Sequence, residues 1–267
     1  MVSQATAAEF RESRLRNLRR HAIETGILER LYDVEWGVTE ALVAEGLSAE
    51  VASREGGIDE GALETIRTQF DALTFLAESS REGRPLTTSF IRELHVALCR
   101  TQGTYEARDQ FGQLVNRRLE HGGWKQWPNH VRRPDGSLLE YVPPEQVQSE
   151  IDRLLILDEQ AKQLHPLTRA AWLHHAFVSI HPFEDGNGRV ARALTMLVLL
   201  QSDYAPLVVD RFSRESYIAA LEAANEGDLR DLVRLFGRLE IVALRAEMEL
   251  IQSGRSGSWP RPSSQST

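Results

Sequence analysis

Residues that could bind a phosphate and move a proton fall together in one short stretch, H-P-F-E-D-G-N-G-R-V-A-R, residues 181–192. The imidazole of His181 can act as a general base because its ordinary pKa lies near neutral pH. The carboxylate of Asp185 is a hard oxygen ligand suited to one Mg²⁺, and the side chains of Arg189 and Arg192 match phosphate oxygens. The stretch therefore predicts a polyphosphate site with His181 as the base and Asp185 as the metal ligand.

The middle of this stretch, Gly186, Asn187 and Gly188, leads into the apolar segment A-L-T-M-L-V-L-L. A segment that is apolar on nearly every side is typical of a helix buried inside a bundle. Glycines let a ligand approach the backbone, and the free N–H groups at a helix N-terminus favour an anion. The two arginines lie in the first turn, where cations oppose the helix dipole. A bound polyphosphate explains them, and ion pairs with the two neighbouring carboxylates are the alternative.

His174 and His175 offer a different interpretation, in which they bind zinc together with His181. Adjacent residues on a helix project about 100° apart, and no acidic residue stands at the spacing that a zinc hydrolase helix uses. Zinc is therefore the weaker interpretation. His174 and His175 are expected in the core or behind the site.

Apolar residues recur at helical spacing along most of the chain, which predicts an all-α fold, a helical bundle. Residues 7–32 are expected to form an amphipathic helix that breaks near Gly26. The turn P-D-G-S followed by L-L-E-Y-V, residues 134–142, is the only strong hairpin signal and adds one small β-hairpin. The other predicted helices cover approximately residues 38–45, 58–78, 88–99, 145–158, 166–180, 189–200, 213–225 and 228–251.

Shifts in composition divide the chain into three regions. Residues 81–90 have the character of a connection, so residues 1–85 are expected to form an N-terminal helical region. Residues 86–250 then form the domain that carries the polar stretch. Residues 251–267 are rich in Ser and Pro and are predicted to be disordered.

The overall composition excludes several classes of protein. A net charge of −8 argues against a nucleic-acid groove, which needs clustered Lys and Arg. The single cysteine, Cys99, excludes an intramolecular disulfide and is expected to be a buried apolar residue. The N-terminal residues lack a signal-peptide pattern, and no uncharged apolar run approaches the ~20 residues that span a bilayer. A cytoplasmic protein that binds neither nucleic acid nor membrane is therefore expected.

Residues 181–192 resemble the signature of the Fic family, H-x-F-x-(D/E)-G-N-G-R-x-x-R, at every defined position. The resemblance extends to T-Y-E-A-R-D-Q-F-G, to Y-I-A-A-L-E-A-A-N-E-G-D, and to R-P-D-G-S-L-L-E-Y-V-P-P, where the family carries its substrate-docking flap. It implies a helical bundle with a β-hairpin flap at about residues 130–142. It also implies transfer of AMP from ATP to a hydroxyl side chain of a protein target, with release of pyrophosphate.

The resemblance further implies a role for individual residues. His181 would deprotonate the incoming hydroxyl, Asp185 would hold Mg²⁺ on the α- and β-phosphates, and Arg192 would bind the γ-phosphate. The remaining site residues fall into three groups: Gly186, Asn187, Gly188 and Arg189 at the phosphates, Tyr217 and Asn225 at the nucleoside, and Leu138, Leu139, Glu140 and Tyr141 on the flap.

Gly188 bears on the choice among the reactions known in this family. A kinase-like toxin branch carries Lys at this position, so Gly188 favours nucleotidyl transfer. De-AMPylation, transfer of phosphocholine, a silent nucleotide-binding module and a purely structural helical scaffold are the alternatives. The presence of both His181 and Asp185 argues against the silent module. The partners implied are ATP and a protein target, which includes the protein itself; a homodimer is one arrangement that the sequence allows.

Many relatives also carry an inhibitory helix, (S/T)-x-x-x-E-(G/N), whose Glu pairs with the last Arg of the signature. The nearest match chosen here is R-H-A-I-E-T-G, which departs from the pattern at Arg20 and Thr25. Glu24 is therefore predicted to pair with Arg192 and to inhibit the enzyme, so that Glu24→Gly would raise activity. Glu45, in A-L-V-A-E-G, is the alternative.

Overall fold

The computed structural model describes residues 7–54, 56–109, 111–133 and 136–253. The predicted tail lies, from residue 254 onward, outside the described residues. The helices are α1 Ala7–Leu28, α2 Trp36–Glu45, α3 Ala49–Arg54, α4 Glu60–Arg81, α5 Thr88–Cys99, α6 Val147–Ala161, α7 Pro166–Ile180, α8 Asn187–Leu200, α9 Arg214–Asn225 and α10 Arg230–Ser253. The strands are β1 Thr104–Arg108, β2 Leu114–Arg118, β3 His130–Arg132 and β4 Leu138–Glu140. The predicted fold class, a helical bundle with a small hairpin, is confirmed.

The centre of the bundle is α8, which packs against α7, α4, α5 and α1. Its residues from Val190 to Leu199 are all buried, as the apolar segment predicts. Helix α7 begins at Pro166, a position where the missing N–H costs nothing, and the side chain of His165 accepts a hydrogen bond from the Leu167 N–H. Helices α7 and α8 thereby hold the connection between them, residues 181–186, at one end of the bundle.

The N-terminal helices belong to the same hydrophobic core. Ile23 of α1 and Leu76 of α4 are fully buried in the cluster that contains Leu94 of α5 and Leu194 of α8. Helix α1 also packs along α10. The boundary at residue 85 stays a prediction, while the shared core fixes α1 beside the N-terminal turn of α8.

The first helix runs through Gly26 and ends at Leu28, two residues after the predicted break near Gly26 and short of residue 32. Gly26 instead makes room for the ring of Tyr32, which would collide with a Cβ at this position. The Tyr32 hydroxyl donates to the carbonyl oxygens of Ala22 and Ile23 at 3.0 and 3.3 Å. A glycine that suggests a helix break is thus explained by close packing of an aromatic ring.

The described residues contain two hairpins where the sequence predicts one. The predicted hairpin pairs β3 with β4, Val131 lying opposite Leu139. The additional hairpin pairs β1 with β2, and its turn is held by the Asp109 carboxylate, which accepts from the N–H groups of Phe111 and Gln113 at 2.9 Å each. Strand β1, T-Y-E-A-R, does alternate, with Tyr105 buried and Ala107 partly buried, but β2, L-V-N-R-R, does not continue the apolar alternation, so the pair gives a weak hairpin signal.

Among the described helices, none combines the length and the apolar character required to cross a bilayer.

Gly186→Ala is expected to lower the free energy of unfolding by about 2–4 kcal/mol, the sum of a left-handed backbone and a clash. Gly186 has φ 79°, and a Cβ there would lie 2.6 Å from the Sγ of Cys99, which is itself buried. Gly227→Ala is the matched control, because Gly227 has φ 91° but open space around it. Urea denaturation should show the smaller loss for Gly227→Ala; equal losses would contradict the clash.

Candidate active site

The loop of the signature is shaped by two backbone reversals. His181 follows α7 with φ 51°, and Gly186 precedes α8 with φ 79°. Asn187 fastens the loop between them, because its side chain accepts from the Phe183 N–H at 2.9 Å and donates to the Phe183 carbonyl at 2.8 Å. Phe183 is fully buried and stacks on His95 with 3.9 Å between ring centroids. The side chain of Asn187 therefore fixes the shape of the loop.

His181 has the hydrogen bonding that a general base requires. Its Nδ1 lies 3.2 Å from the carbonyl oxygen of Val178. Because a carbonyl only accepts, this contact assigns the proton to Nδ1 and leaves a lone pair on Nε2. Burial of the ring, and next the positive charge of Lys125, lower the pKa of His181 to about 4. The imidazole is therefore neutral at neutral pH.

The flap contributes the residue that covers this imidazole. The ring of Tyr141, directly after β4, stacks on the ring of His181 with centroids 3.9 Å apart and an angle of 13° between the planes. The predicted flap residues Leu138, Leu139 and Glu140 form β4, and Leu138 is 46% exposed. The structure thus brings the end of the flap to the predicted base and leaves the strand itself accessible.

Gln102 connects the predicted metal ligand with the predicted phosphate ligand. Its side-chain amide donates to Oδ2 of Asp185 at 2.6 Å, and its oxygen accepts from Nη2 of Arg189 at 2.5 Å. The other oxygen of Asp185 accepts from the Gly186 N–H at 2.6 Å and lies 3.9 Å from Arg189. A single Gln in a connection carries no sequence signal, so sequence reasoning missed this residue.

Asp185 can hold a metal only as a single carboxylate. Within the described ranges, no three His, Cys, Asp or Glu side chains come together as a metal site. The zinc interpretation also lacks its ligands, because His174 uses both ring nitrogens on Thr195 and Tyr217, at 2.9 and 2.7 Å. His175 contacts Asn225 at 2.9 Å. One carboxylate completed by water and phosphate oxygens is the usual way that proteins bind Mg²⁺.

Tyr217 and Asn225, predicted at the nucleoside, lie on α9. Tyr217 is 5% exposed and contacts both His174 and Arg192, so it lies behind the arginine. Burial raises the pKa of its phenol above the ordinary value. Asn225 ends α9 and bonds to His175. Their place beside a nucleoside stays a prediction.

The prediction that Glu24 pairs with Arg192 is wrong. Arg192 is 3% exposed, and its Nη2 lies 2.6 Å from Oε1 of Glu29. The Nε of Arg192 donates to the Thr25 hydroxyl at 2.8 Å. Glu24 is fully buried against Arg211 at 2.8 Å, and the alternative Glu45 forms an exposed ion pair with Arg54. The acidic partner of Arg192 is therefore Glu29.

The pattern (S/T)-x-x-x-E-(G/N) fits better five residues further along the chain, at T-G-I-L-E-R. Thr25 and Glu29 occupy its Thr and Glu positions, and Arg30 replaces the expected Gly or Asn. Arg30 has φ 57°, the left-handed conformation that Gly and Asn adopt most easily. The segment T-G-I-L-E-R departs from the pattern only at Arg30, whereas the predicted segment R-H-A-I-E-T-G departs at both Arg20 and Thr25. Glu24 and Glu29, five residues apart, point to different faces of the same chain segment.

Lys125 is a further residue that sequence reasoning missed. It is 2% exposed beside the signature loop, and Lys125 and Lys162 are the only lysines in the sequence. In a chain whose cations are nearly all Arg, that rarity is the one available signal. Burial lowers the pKa of Lys125 to about 8.

A helical bundle that presents this loop at the N-terminus of a buried helix defines a Fic domain. Residues 85–199 match the family model described as the Fic/DOC family, which confirms the resemblance that residues 181–192 carry. A segment of 76 residues is 45% identical to the protein adenylyltransferase Fic of Drosophila mojavensis, and one of 95 residues is 40% identical to the protein adenylyltransferase fic-1 of Caenorhabditis elegans. These segments cover 28% and 35% of this chain but only 15% and 19% of those proteins.

Solved structures establish the fold over nearly the whole chain. A Fic-domain signalling protein from Bacteroides thetaiotaomicron aligns with a TM-score of 0.78 at 21% identity, covering 96% of this chain and 95% of that one. Fic-1 from C. elegans, residues 134–508 of that protein, aligns with a TM-score of 0.71 at 23% identity, covering 95% of this chain and 69% of that one.

Proposed function

We propose that the protein transfers AMP from ATP to a hydroxyl side chain of a protein target, and that Glu29 holds it in an inhibited state. The observation that carries the proposal is Arg189. This side chain is 1% exposed, and within the described part of the chain its Nε has no hydrogen-bond partner. An unsatisfied cationic group costs free energy when buried, so an anion is the expected partner.

The surroundings of Arg189 suit the phosphates of ATP. The first N–H groups of α8 and two buried arginines face the same end of the helix. Gly188 leaves the backbone open, and a Cβ there would collide with the carboxylate of Glu29. The Glu29 carboxylate therefore contacts both the N-terminal turn of α8 and Arg192. It places a negative charge at the position where a phosphate would bind.

Mg²⁺ fits this site through Asp185, whose side chain is 37% exposed. When bound, Mg²⁺ would neutralise charge on the phosphates of the nucleotide. Gln102 and the Gly186 N–H hold the carboxylate of Asp185 in a fixed orientation. A second protein carboxylate is not required, because water molecules and the phosphates of the nucleotide supply the other ligands of Mg²⁺.

In the proposed reaction, Nε2 of His181 takes the proton of the target hydroxyl as that oxygen attacks the α-phosphorus of ATP. The bond between the α-phosphorus and the bridging oxygen breaks, and pyrophosphate leaves. Arg189 and Arg192 stabilise the negative charge on the phosphates. The stack with Tyr141 holds the imidazole in place and excludes water from one of its faces.

Labelled ATP tests the proposal. The Glu29→Gly variant should incorporate label into protein from ATP labelled at the α-phosphate, should incorporate none from ATP labelled at the γ-phosphate, and should need Mg²⁺. Transfer of the γ-label would show phosphoryl transfer instead. Absence of both labels from the variant itself and from a lysate would contradict the proposal.

Gln102→Ala is expected to weaken binding of Mg²⁺ and a non-hydrolysable ATP analogue by about tenfold, the effect typical of removing a residue that orients ligands. The cause is the loss of the two hydrogen bonds that orient Asp185 and Arg189. Titration calorimetry of the Glu29→Gly variant measures the affinity. Gln160→Ala, on the exposed face of α6, is the control and should bind as before.

A further inference from the structure

Lys125 holds the backbone on both sides of His181. Its Nζ donates to the carbonyl oxygen of Ile180 at 3.4 Å, and its backbone N–H donates to the carbonyl of Pro182 at 2.8 Å. The side chain is fixed in turn by Asn129, whose Oδ1 accepts from Nζ at 2.6 Å and whose amide donates to the carbonyl of Phe183 at 3.3 Å. One residue from a distant connection thus spans the position of the predicted base.

This clamp matters because His181 has an unfavourable backbone conformation. Its φ of 51° is left-handed, which costs a residue other than glycine about 1–3 kcal/mol and persists only when the surroundings enforce it. A relaxed backbone would swing the imidazole away from the N-terminus of α8. The hydrogen bonds of Lys125 to the carbonyls before and after the residue add to the bond of the His181 N–H to the Phe177 carbonyl at 3.0 Å in holding the reversal.

The ammonium group also acts on the imidazole by charge. Lys125 lies over the ring of Tyr141, with Nζ 5.9 Å from the centroid, and the same ring stacks on His181. The groups that face the imidazole with opposite effect are the carboxylates of Glu29 and Asp185. A buried cation beside a base disfavours the protonated base, so the imidazole keeps its lone pair for the substrate proton.

We propose that Lys125 is a positioning residue of the active site: its backbone N–H and its ammonium group, which Asn129 holds, together fix the left-handed backbone of His181. The charge of the same ammonium group disfavours protonation of the imidazole. The proposal rests on the proposed function for its catalytic meaning, since the base acts only if a hydroxyl proton is taken. The part of the proposal that concerns the backbone conformation and the protonation of His181 can be tested without measuring catalysis.

The test compares Lys125→Met, which keeps the length of the side chain without charge, with Lys125→Arg, which keeps the charge. NMR titration of the imidazole signals follows His181, identified by its loss in His181→Ala. In Lys125→Met the titration midpoint of the His181 imidazole is expected to rise by about one pH unit toward the ordinary value of about 6.5. In Lys125→Arg this titration midpoint should stay low. Lys162→Met, on the surface, should leave it unchanged.

Activity supplies the second measurement, in the Glu29→Gly background. The acid limb of the pH–rate profile of Lys125→Met should move up by the same amount. Its plateau should fall about tenfold, less than the roughly 100-fold that a displaced catalytic group can cost, because the backbone N–H bond of residue 125 to the Pro182 carbonyl remains. An unchanged midpoint of His181 in folded Lys125→Met would overturn the proposal. A titration midpoint of His181 near 6.5 in the wild-type protein would also overturn the proposal, and this measurement does not require the variant to fold. Failure of AMP transfer with the expected midpoints would refute the proposed function and leave Lys125 supported.

Discussion

Glu29→Gly is expected to raise self-AMPylation by about 10- to 100-fold, the equivalent of one charged hydrogen bond of about 1.5–3 kcal/mol. The Glu29 carboxylate lies 2.6 Å from Nη2 of Arg192 and competes with a phosphate for the same guanidinium. Removing it frees Arg192, which keeps its bond to Thr25. Because α1 ends at Leu28, glycine at position 29 does not interrupt the helix. Incorporation of α-labelled ATP measures the effect.

Two other carboxylates provide matched controls for this prediction. Glu45→Gly, at the exposed end of α2, should leave the rate unchanged. Glu24→Gln replaces the buried carboxylate that pairs with the partly exposed Arg211 and should cost about 3 kcal/mol of stability, with a smaller rise in rate than Glu29→Gly. If Glu24→Gln raised the rate fully and Glu29→Gly had no effect, the pairing of Glu29 with Arg192 would not be the inhibitory contact.

His181→Ala in the Glu29→Gly background is expected to lower the rate of AMP transfer by about 10²- to 10⁴-fold, the contribution typical of a general base. The imidazole is neutral above about pH 4, so the rate of the Glu29→Gly parent should stay level from neutral pH downward and fall only as pH approaches that pKa. The sign follows from the mechanism, since protonation removes the lone pair on Nε2. Single-turnover measurement with labelled ATP tests both statements.

The control for this variant separates chemistry from binding. Affinity for a non-hydrolysable ATP analogue should be unchanged in His181→Ala, because the phosphate contacts come from α8. His165→Ala, at the opposite end of α7, should transfer AMP at the same rate as its parent. An unchanged rate in the His181→Ala variant would contradict the role of His181 as the base.

The signature loop could be read from the sequence because its parts are neighbours in the chain. Helix α8 sets the spacing of Arg189 and Arg192, and Asp185 lies two residues before the helix. The apolar residues of α8 indicate from the sequence that it is buried. The same holds for the predicted β3–β4 hairpin, whose turn residues specify it locally. The fold class followed from helical periodicity, and the solved structures confirm it.

The contacts that complete the site could not be read in this way. Glu29 reaches Arg192, and Gln102 reaches Asp185, across long stretches of chain, so no local spacing links them. Gln and Glu are common surface residues, and nothing in their type marks Gln102 and Glu29 as the ones that contact the site. The left-handed Arg30 shows how a motif can be satisfied by backbone conformation when the expected residue type is missing.

The packing of Tyr32 against Gly26 limits the ways in which the contact between Glu29 and Arg192 could be released. The segment after α1 folds back, the Leu31 N–H bonds to the Gly26 carbonyl at 3.0 Å, and the Tyr32 hydroxyl bonds to Ala22 and Ile23. The end of the helix is therefore tied to its own preceding turns and cannot unravel by itself. If Glu29 inhibits the enzyme as proposed, release of Arg192 requires either rotation of the Glu29 side chain or displacement of α1 as a whole. The second route would also break the ion pair of Glu24 with Arg211.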